Sequence, residues 1–134
     1  MESVPTFEQM LVRCGIHLFK YYLDIGREEQ KKRLAARCAD PLTQWKLSPI
    51  DEAAQKYWHD YSVARNEMLA RSHSPIAPWT VVRANDKRLA RLNVIRDLLS
   101  HLDYPDKDHS VTRPDPAVVF PYMEIAVDNG MIES

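Results

Sequence analysis

The sequence predicts an α/β fold in which parallel strands alternate with helices, and it predicts that only part of such a fold is present. Two runs rich in β-branched and aromatic residues, Ile16–Ile25 and Trp79–Arg83, are separated and flanked by segments with helical apolar spacing. Strands separated by helices require crossover connections, and these join parallel neighbours in the doubly wound class. Both runs are apolar on both alternating faces, as in strands covered on each side. Two such strands leave unpaired backbone edges beside apolar side chains and do not make a self-sufficient sheet. The chain reads as half a domain, its other strands coming from a partner or from a missing N-terminal portion.

The elements follow in order. Thr6-Phe7-Glu8-Gln9 has the form of a capping box and opens a short helix with Phe7, Met10 and Leu11 on its apolar face. Gly15 sits where a C′ glycine ends a helix. Ile16–Ile25 is then the first strand, central in its sheet, with Lys20 an odd mid-strand charge that snorkels to an edge or pairs with a carboxylate. After Gly26, REEQKKRLAARCAD is rich in helix formers and stops at Asp40-Pro41. Ser48-Pro49 opens a longer helix with Asp51 in its first turn, and Ile50, Ala54, Tyr57, Trp58, Tyr61, Ala64 and Met68 form its apolar stripe. Trp79–Arg83 is the second strand. Asn85 or Asp86 caps a helix whose expected buried face is Leu89, Leu92, Ile95, Leu99 and Leu102. Residues 103–134 read as an extended, Pro-containing tail in which Val118-Val119-Phe120 is an apolar anchor.

Composition excludes several functions. The 134 residues suit one domain, and a net charge of -1 argues against a chain built to coat nucleic acid or an anionic membrane. With no signal-like N-terminus and no apolar run of spanning length, a cytoplasmic location is expected. Cys14 and Cys38 lie far apart without a CxxC spacing, and the five histidines form no ligand cluster, so neither a disulfide framework nor a zinc site is expected.

The cations are locally concentrated instead. Ligands of open α/β sheets bind beyond the C-terminal strand ends, where helix N-termini present backbone N–H groups. Arg83, Lys87, Arg88 and Arg91 fall at such a place, with Asp86 among them. Arg33 and Arg37 lie one turn apart on the helix after the first strand, and Lys46 follows in WKLS. Guanidinium forks on a helical flap suit several phosphate oxygens at once. The plain alternative is a solvated face carrying ion pairs such as Glu29–Arg33. Asp24, near the end of the first strand, is either a carboxylate placed to meet a metal or a simple strand-end residue. Tyr57, Trp58 and Tyr61 either stack a base or belong to a core or subunit interface.

Taken together, GIHLFKYYLDIGREEQ, RLAARCADPLTQWKLSPID, KYWHDYSVARNEML and APWTVVRANDKRLARLNVIRDLL resemble the C-terminal half of the type-2 polyphosphate kinase family. The resemblance covers about residues 5–102, with DP, WKLSP, PW and NDK-R-ARLN in order. It implies a P-loop kinase-like parallel sheet flanked by helices, with a helical lid over about residues 27–48, as the C-terminal part of a domain occupying residues 1–102. It also implies Mg²⁺-dependent phosphoryl transfer between inorganic polyphosphate and a nucleotide (ADP or GDP, ATP or GTP). By resemblance Arg33, Arg37 and Lys46 belong to the lid and bind polyphosphate, and Arg83, Lys87, Arg88 and Arg91 lie at the periphery of the phosphate site.

The Gly-rich phosphate loop of the family, with its lysine, has no counterpart. The glycines are Gly15, Gly26 and Gly130, and no GxxxxGK(S/T) spacing occurs. Phosphoryl transfer depends on positioning and charge compensation, so the chain by itself is expected to be an inactive, truncated part of the enzyme. It should carry no catalytic residue of its own and hold no metal alone. The alternative is a non-catalytic fragment or assembly module that associates with a full-length subunit, or with itself.

Overall fold

A computed structural model describes residues 3–133. Its elements are α1 (Ser3–Arg13), β1 (Lys20–Asp24), α2 (Arg27–Ala39), a 3₁₀ turn (Gln44–Lys46), α3 (Pro49–Lys56), α4 (Trp58–Ser72), β2 (Trp79–Arg83), α5 (Lys87–Ser100), β3 (Val119–Pro121) and α6 (Ile125–Asp128). The fold is α/β, as expected. β1 and β2 pair in parallel with Lys20 opposite Trp79 and Asp24 opposite Arg83. The sheet is nonetheless mixed, because β3 adds antiparallel to β2 with Phe120 opposite Val81.

This third strand corrects the two-strand expectation. Val118-Val119-Phe120 is not merely an anchor: Phe120, Tyr122, Ala126 and Ile132 share one core cluster with Leu69 and Val81, and Val118 and Val119 share the other with Val82 and Ala90. Sheet order is β1-β2-β3, so the central strand is β2 and β1 lies at an edge. Val81 and Val82 are accordingly fully buried, whereas Leu23 on β1 is 59% exposed. The strand is also shorter than Ile16–Ile25, because only Lys20–Asp24 has a neighbour to bond.

Local chemistry at the helix ends reads through well. α1 starts at Ser3 rather than Thr6, with Pro5 tolerated in its first turn where no intrahelical N–H is needed. Gly15 takes φ +84°, the left-handed conformation that ends a helix at little steric cost. α2 stops at Ala39, before Asp40-Pro41. At the start of α3 the Ser48 N–H donates to Asp51 Oδ2 (3.0 Å), and at α5 the Asp86 carboxylate accepts from the N–H groups of Arg88 and Leu89. The long helix expected from Ser48 is broken at Tyr57 into α3 and α4.

The faces of three helices differ from expectation. On α1, Phe7 and Met10 are exposed while Glu8 is buried. On α4 the inward residues are Ser62, Arg65, Leu69 and Ser72, while of the expected stripe Ile50 on α3, Tyr57 at the break and Tyr61 on α4 are exposed. On α5 the inward residues are Ala90, Asn93 and Asp97, and Leu89, Leu92 and Ile95 are exposed. Asn93 is held by both ends of its amide: Nδ2–H donates to Leu89 O, and Oδ1 accepts the Asp115 N–H at 2.7 Å. Spacing groups residues on a face, but the neighbouring elements decide which face is covered, and β1 has no neighbour on its outer side among the described residues.

Lys20 pairs with a carboxylate, one of the two outcomes foreseen for it. Its Nζ donates to Glu8 Oε2 (2.8 Å) and Ser72 O (2.6 Å) and lies 4.8 Å from the centre of the Trp79 ring. This pair ties α1 to β1 and to the end of α4. Glu8→Ala would leave a buried ammonium without its counter-charge, so a loss of about 3 kcal/mol in unfolding free energy is expected from urea denaturation. A change near zero would show that Ser72 O and the ring suffice.

Candidate functional site

Residues from four segments meet beyond the C-terminal ends of β1 and β2. β1 delivers Asp24, Ile25 and Gly26 into the start of α2, and β2 delivers Arg83, Ala84 and Asn85 into the start of α5. The two exits are tied together: the Ala84 N–H donates to Asp24 O (2.7 Å), and the Gly26 N–H donates to Asn85 Oδ1 (2.9 Å). Gly26 is close-packed, since a Cβ there would lie 3.2 Å from the Glu133 carboxyl.

α2 holds Arg33 across these exits. Its Nε donates to Glu29 Oε1 (2.8 Å), and Nη2 donates to Ala84 O (2.6 Å) and Asn85 O (2.9 Å). One turn on, Arg37 Nη1 donates to Asp51 Oδ2 (3.1 Å), the same carboxylate oxygen that accepts the Ser48 N–H. Arg37 thereby links α2 to the α3 cap. These arginines line an open cavity of about 590 Å³ with Lys46, Lys87, Asp40 and Asp51. Four of the seven cations singled out from sequence, namely Arg33, Arg37, Lys46 and Lys87, therefore surround one space.

The other three lie elsewhere. Arg83 lines a crevice of about 180 Å³ with Asp24, Asn85, Met131 and Glu133, its guanidinium 5.9 Å from the Phe120 ring centre. Arg91 lines a neighbouring, largely apolar hollow with Leu23, Val94 and Ile95, whose wall it shares with Arg33 and Lys87. Arg88 is exposed. The first N–H groups of α5 are already taken by the Asp86 carboxylate, whose own ionised form these bonds favour, holding its pKa below the ordinary range.

Sequence reasoning missed Arg65. It is 9% exposed, with Nη1 3.6 Å from Asp24 Oδ1 and donating to Glu133 O, while Asp24 Oδ2 accepts the Glu133 N–H at 2.9 Å. Burial raises the Asp24 pKa, opposed by the Glu133 N–H and the Arg65 charge. The available signal was a lone arginine in the i, i+3, i+7 series Ser62, Arg65, Leu69, which is a helical face. Asp24 is thus a structural ion-pair partner here. Among the described residues no three His, Cys, Asp or Glu side chains gather as a metal site.

Comparison with known proteins decides the family. The family model for polyphosphate kinase 2 matches residues 1–110. This chain belongs to the polyphosphate kinase 2 family. It is 49% identical over 120 residues to the NDP-polyphosphate phosphotransferase 2 of Ruegeria pomeroyi, covering 89% of this chain and 35% of that protein. It is 48% identical over 122 residues to the GDP-polyphosphate phosphotransferase of Pseudomonas aeruginosa, covering 90% of this chain and 34% of that one. The crystal structure of polyphosphate kinase 2 from Arthrobacter aurescens superposes with a TM-score of 0.70 at 40% identity, over 79% of this chain and 39% of its own. The chain thus spans little more than a third of the polyphosphate kinase 2 relatives it matches. No helix among the described residues is long and apolar enough to cross a membrane.

Proposed function

We propose that this chain supplies the lid and the last parallel strand of a polyphosphate:nucleotide phosphotransferase, and that it turns over only when the remaining strands and a phosphate loop complete the site. The observation that carries this reading is the convergence of Arg33, Arg37, Lys46 and Lys87 on one cavity beyond the strand ends. In such a transfer the terminal P–O–P bond of polyphosphate breaks as a terminal phosphate oxygen of a nucleoside diphosphate bonds to that phosphorus. Negative charge spread over the moving group is what converging cations stabilise. Magnesium, held by carboxylates from outside this chain, would add positive charge to offset the negative charge of the phosphates.

Reconstitution tests the reading. The chain alone should show no polyphosphate-dependent phosphorylation of GDP or ADP. Mixing it with the N-terminal part of the Pseudomonas relative that precedes the matching region should restore turnover. Two folded pieces that associate without turnover would overturn the reading. They would favour a second one, an assembly module that joins a kinase subunit, for which the exposed Leu89, Leu92 and Ile95 beside the edge strand are the supporting observation.

A further inference from the structure

We propose that two copies of this chain pair through the outer edge of β1, antiparallel and in a register centred on Tyr22. The inference does not depend on the phosphotransferase reading. β1 lies at an edge of the sheet, and among the described residues no strand pairs with its outer side. The Ala84 N–H donates to Asp24 O, so the peptide groups of Asp24, and with them those of Tyr22 and Lys20, face β2. Alternation along the strand turns the N–H and C=O groups of Tyr21 and Leu23 outward, where a further strand would bond them.

Two observations select a second copy as that strand and fix its register. Centred on Tyr22, antiparallel pairing sets Tyr21 opposite Leu23 of the second copy, and Leu23 opposite its Tyr21. Both couples are then hydrogen-bonded pairs that exchange N–H···O bonds in each direction, so every outward group of β1 is used. The same register sets Lys20 opposite Asp24 of the second copy, and Asp24 opposite its Lys20. Opposite charges facing across strands are favourable, whereas parallel pairing in register would set lysine beside lysine and aspartate beside aspartate. Moving the centre to Tyr21 or Leu23 loses the charge match.

The apolar surface agrees with this pairing. Tyr21 and Leu23 lie on the α5 face of β1, where the Tyr21 hydroxyl reaches Asp97 and Leu23 shares a largely apolar hollow of about 460 Å³ with Val94 and Ile95. Leu23 is 59% exposed and Ile95 is 55% exposed. Pairing lays each Leu23 beside the other copy's Tyr21 and removes apolar surface from water.

Sedimentation equilibrium of the full chain at about 100 μM should give mostly dimer, as any dissociation constant in the low micromolar range does. Leu23→Lys puts a charge on an exposed edge position, and Leu23→Pro removes an N–H that faces away from β2. Each should weaken the dimer about tenfold or more, with the circular dichroism of the parent retained in the lysine variant. Cys14 and Cys38 are exposed, so the register is read in a Cys14→Ser, Cys38→Ser background. There Tyr22→Cys should cross-link between copies under mild oxidation and Leu23→Cys should not, because facing positions come within disulfide reach and diagonal ones lie about 7–8 Å apart. A monomer at that concentration would overturn the proposal and leave the edge to a strand of the remaining enzyme. A dimer indifferent to both Leu23 variants, or cross-linking of Leu23→Cys instead of Tyr22→Cys, would overturn it as well.

Discussion

Replacing Arg33 and Arg37 together by alanine is expected to remove most of the chain's affinity for tripolyphosphate and to flatten the salt dependence of what remains. Each hydrogen bond to a charged group is worth about 1.5–3 kcal/mol, so a loss of about a hundredfold or more is expected from two. Exposed charge contacts are screened by salt, and fewer of them means a shallower dependence. Arg33 carries an additional role, since its Nη2 already spans the carbonyls of Ala84 and Asn85. Arg33→Lys keeps the charge but not the fork, and a point ammonium does not hold two carbonyls and Glu29 in the same geometry. That single variant should therefore bind tripolyphosphate more weakly than the parent despite equal charge. Calorimetric titration across a salt series measures both effects, and an unchanged slope in the double variant would return these arginines to intramolecular pairing alone.

Arg65→Ala is expected to have the largest effect on stability, about 3–5 kcal/mol, because it strands the Asp24 carboxylate in the interior. Asp24 is 2% exposed, and with Arg65 gone its remaining support is the Glu133 N–H and the charge of Arg83. Adding Asp24→Asn to Arg65→Ala should recover part of the loss by removing the unpaired charge. The pH dependence has a definite sign. Burial raises the folded-state pKa of Asp24 above its ordinary value of 3.8. The folded state therefore binds the proton where the unfolded chain has released it. The Asp24 contribution to stability is fully present below the ordinary carboxylate value and is lost as pH rises through the raised folded value. Losing the Arg65 charge moves that folded value further up, so the single variant should regain stability on acidification over a wider range than the parent. Urea denaturation at several pH values reads this out, and a pH-independent loss would assign the effect to packing.

Much of the fold was legible where the information is local. Gly15, Asp40-Pro41, Ser48-Pro49 and Asp86 each mark a helix end through backbone geometry or a cap, and these physical causes act within a few residues. The inward faces of α4 and α5 were not legible in the same way. Leu89, Leu92 and Ile95 share a helical face and were expected to be buried, yet Ala90, Asn93 and Asp97 point inward. Tyr21, on β1, explains part of that choice: its hydroxyl donates to Asp97 Oδ2 at 2.7 Å, a bond that turns α5 by its polar side. Burial of Asp97 and Arg65 depends on partners 76 residues and 41 residues away, Tyr21 and Asp24, and spacing along one helix carries no trace of them. β3 was underestimated for a related reason. Three residues are too few to show a period, and their strand character comes from the pairing with Thr80, Val81 and Val82.

For the candidate site, charge pattern and the position of strand ends brought out four cations that do share one space, together with three that do not. The difference lies in how far along α5 each cation sits from the turn after β2. Lys87 lines both the cationic cavity and the neighbouring hollow with Leu23 and Ile95, whereas Arg91, one helical turn later, lines the hollow and not the cavity.

The unequal ends of the sheet set a rule for assembly. β3 spans three residues and finishes in Pro121, which has no N–H to offer, whereas β1 presents five residues. Strand addition is therefore favoured on one side. Two copies that met through β1 would do so about a two-fold axis, each occupying the surface the other needs. Such a pair would be closed, leaving no comparable face for a third copy, so strand addition through β1 would stop at two.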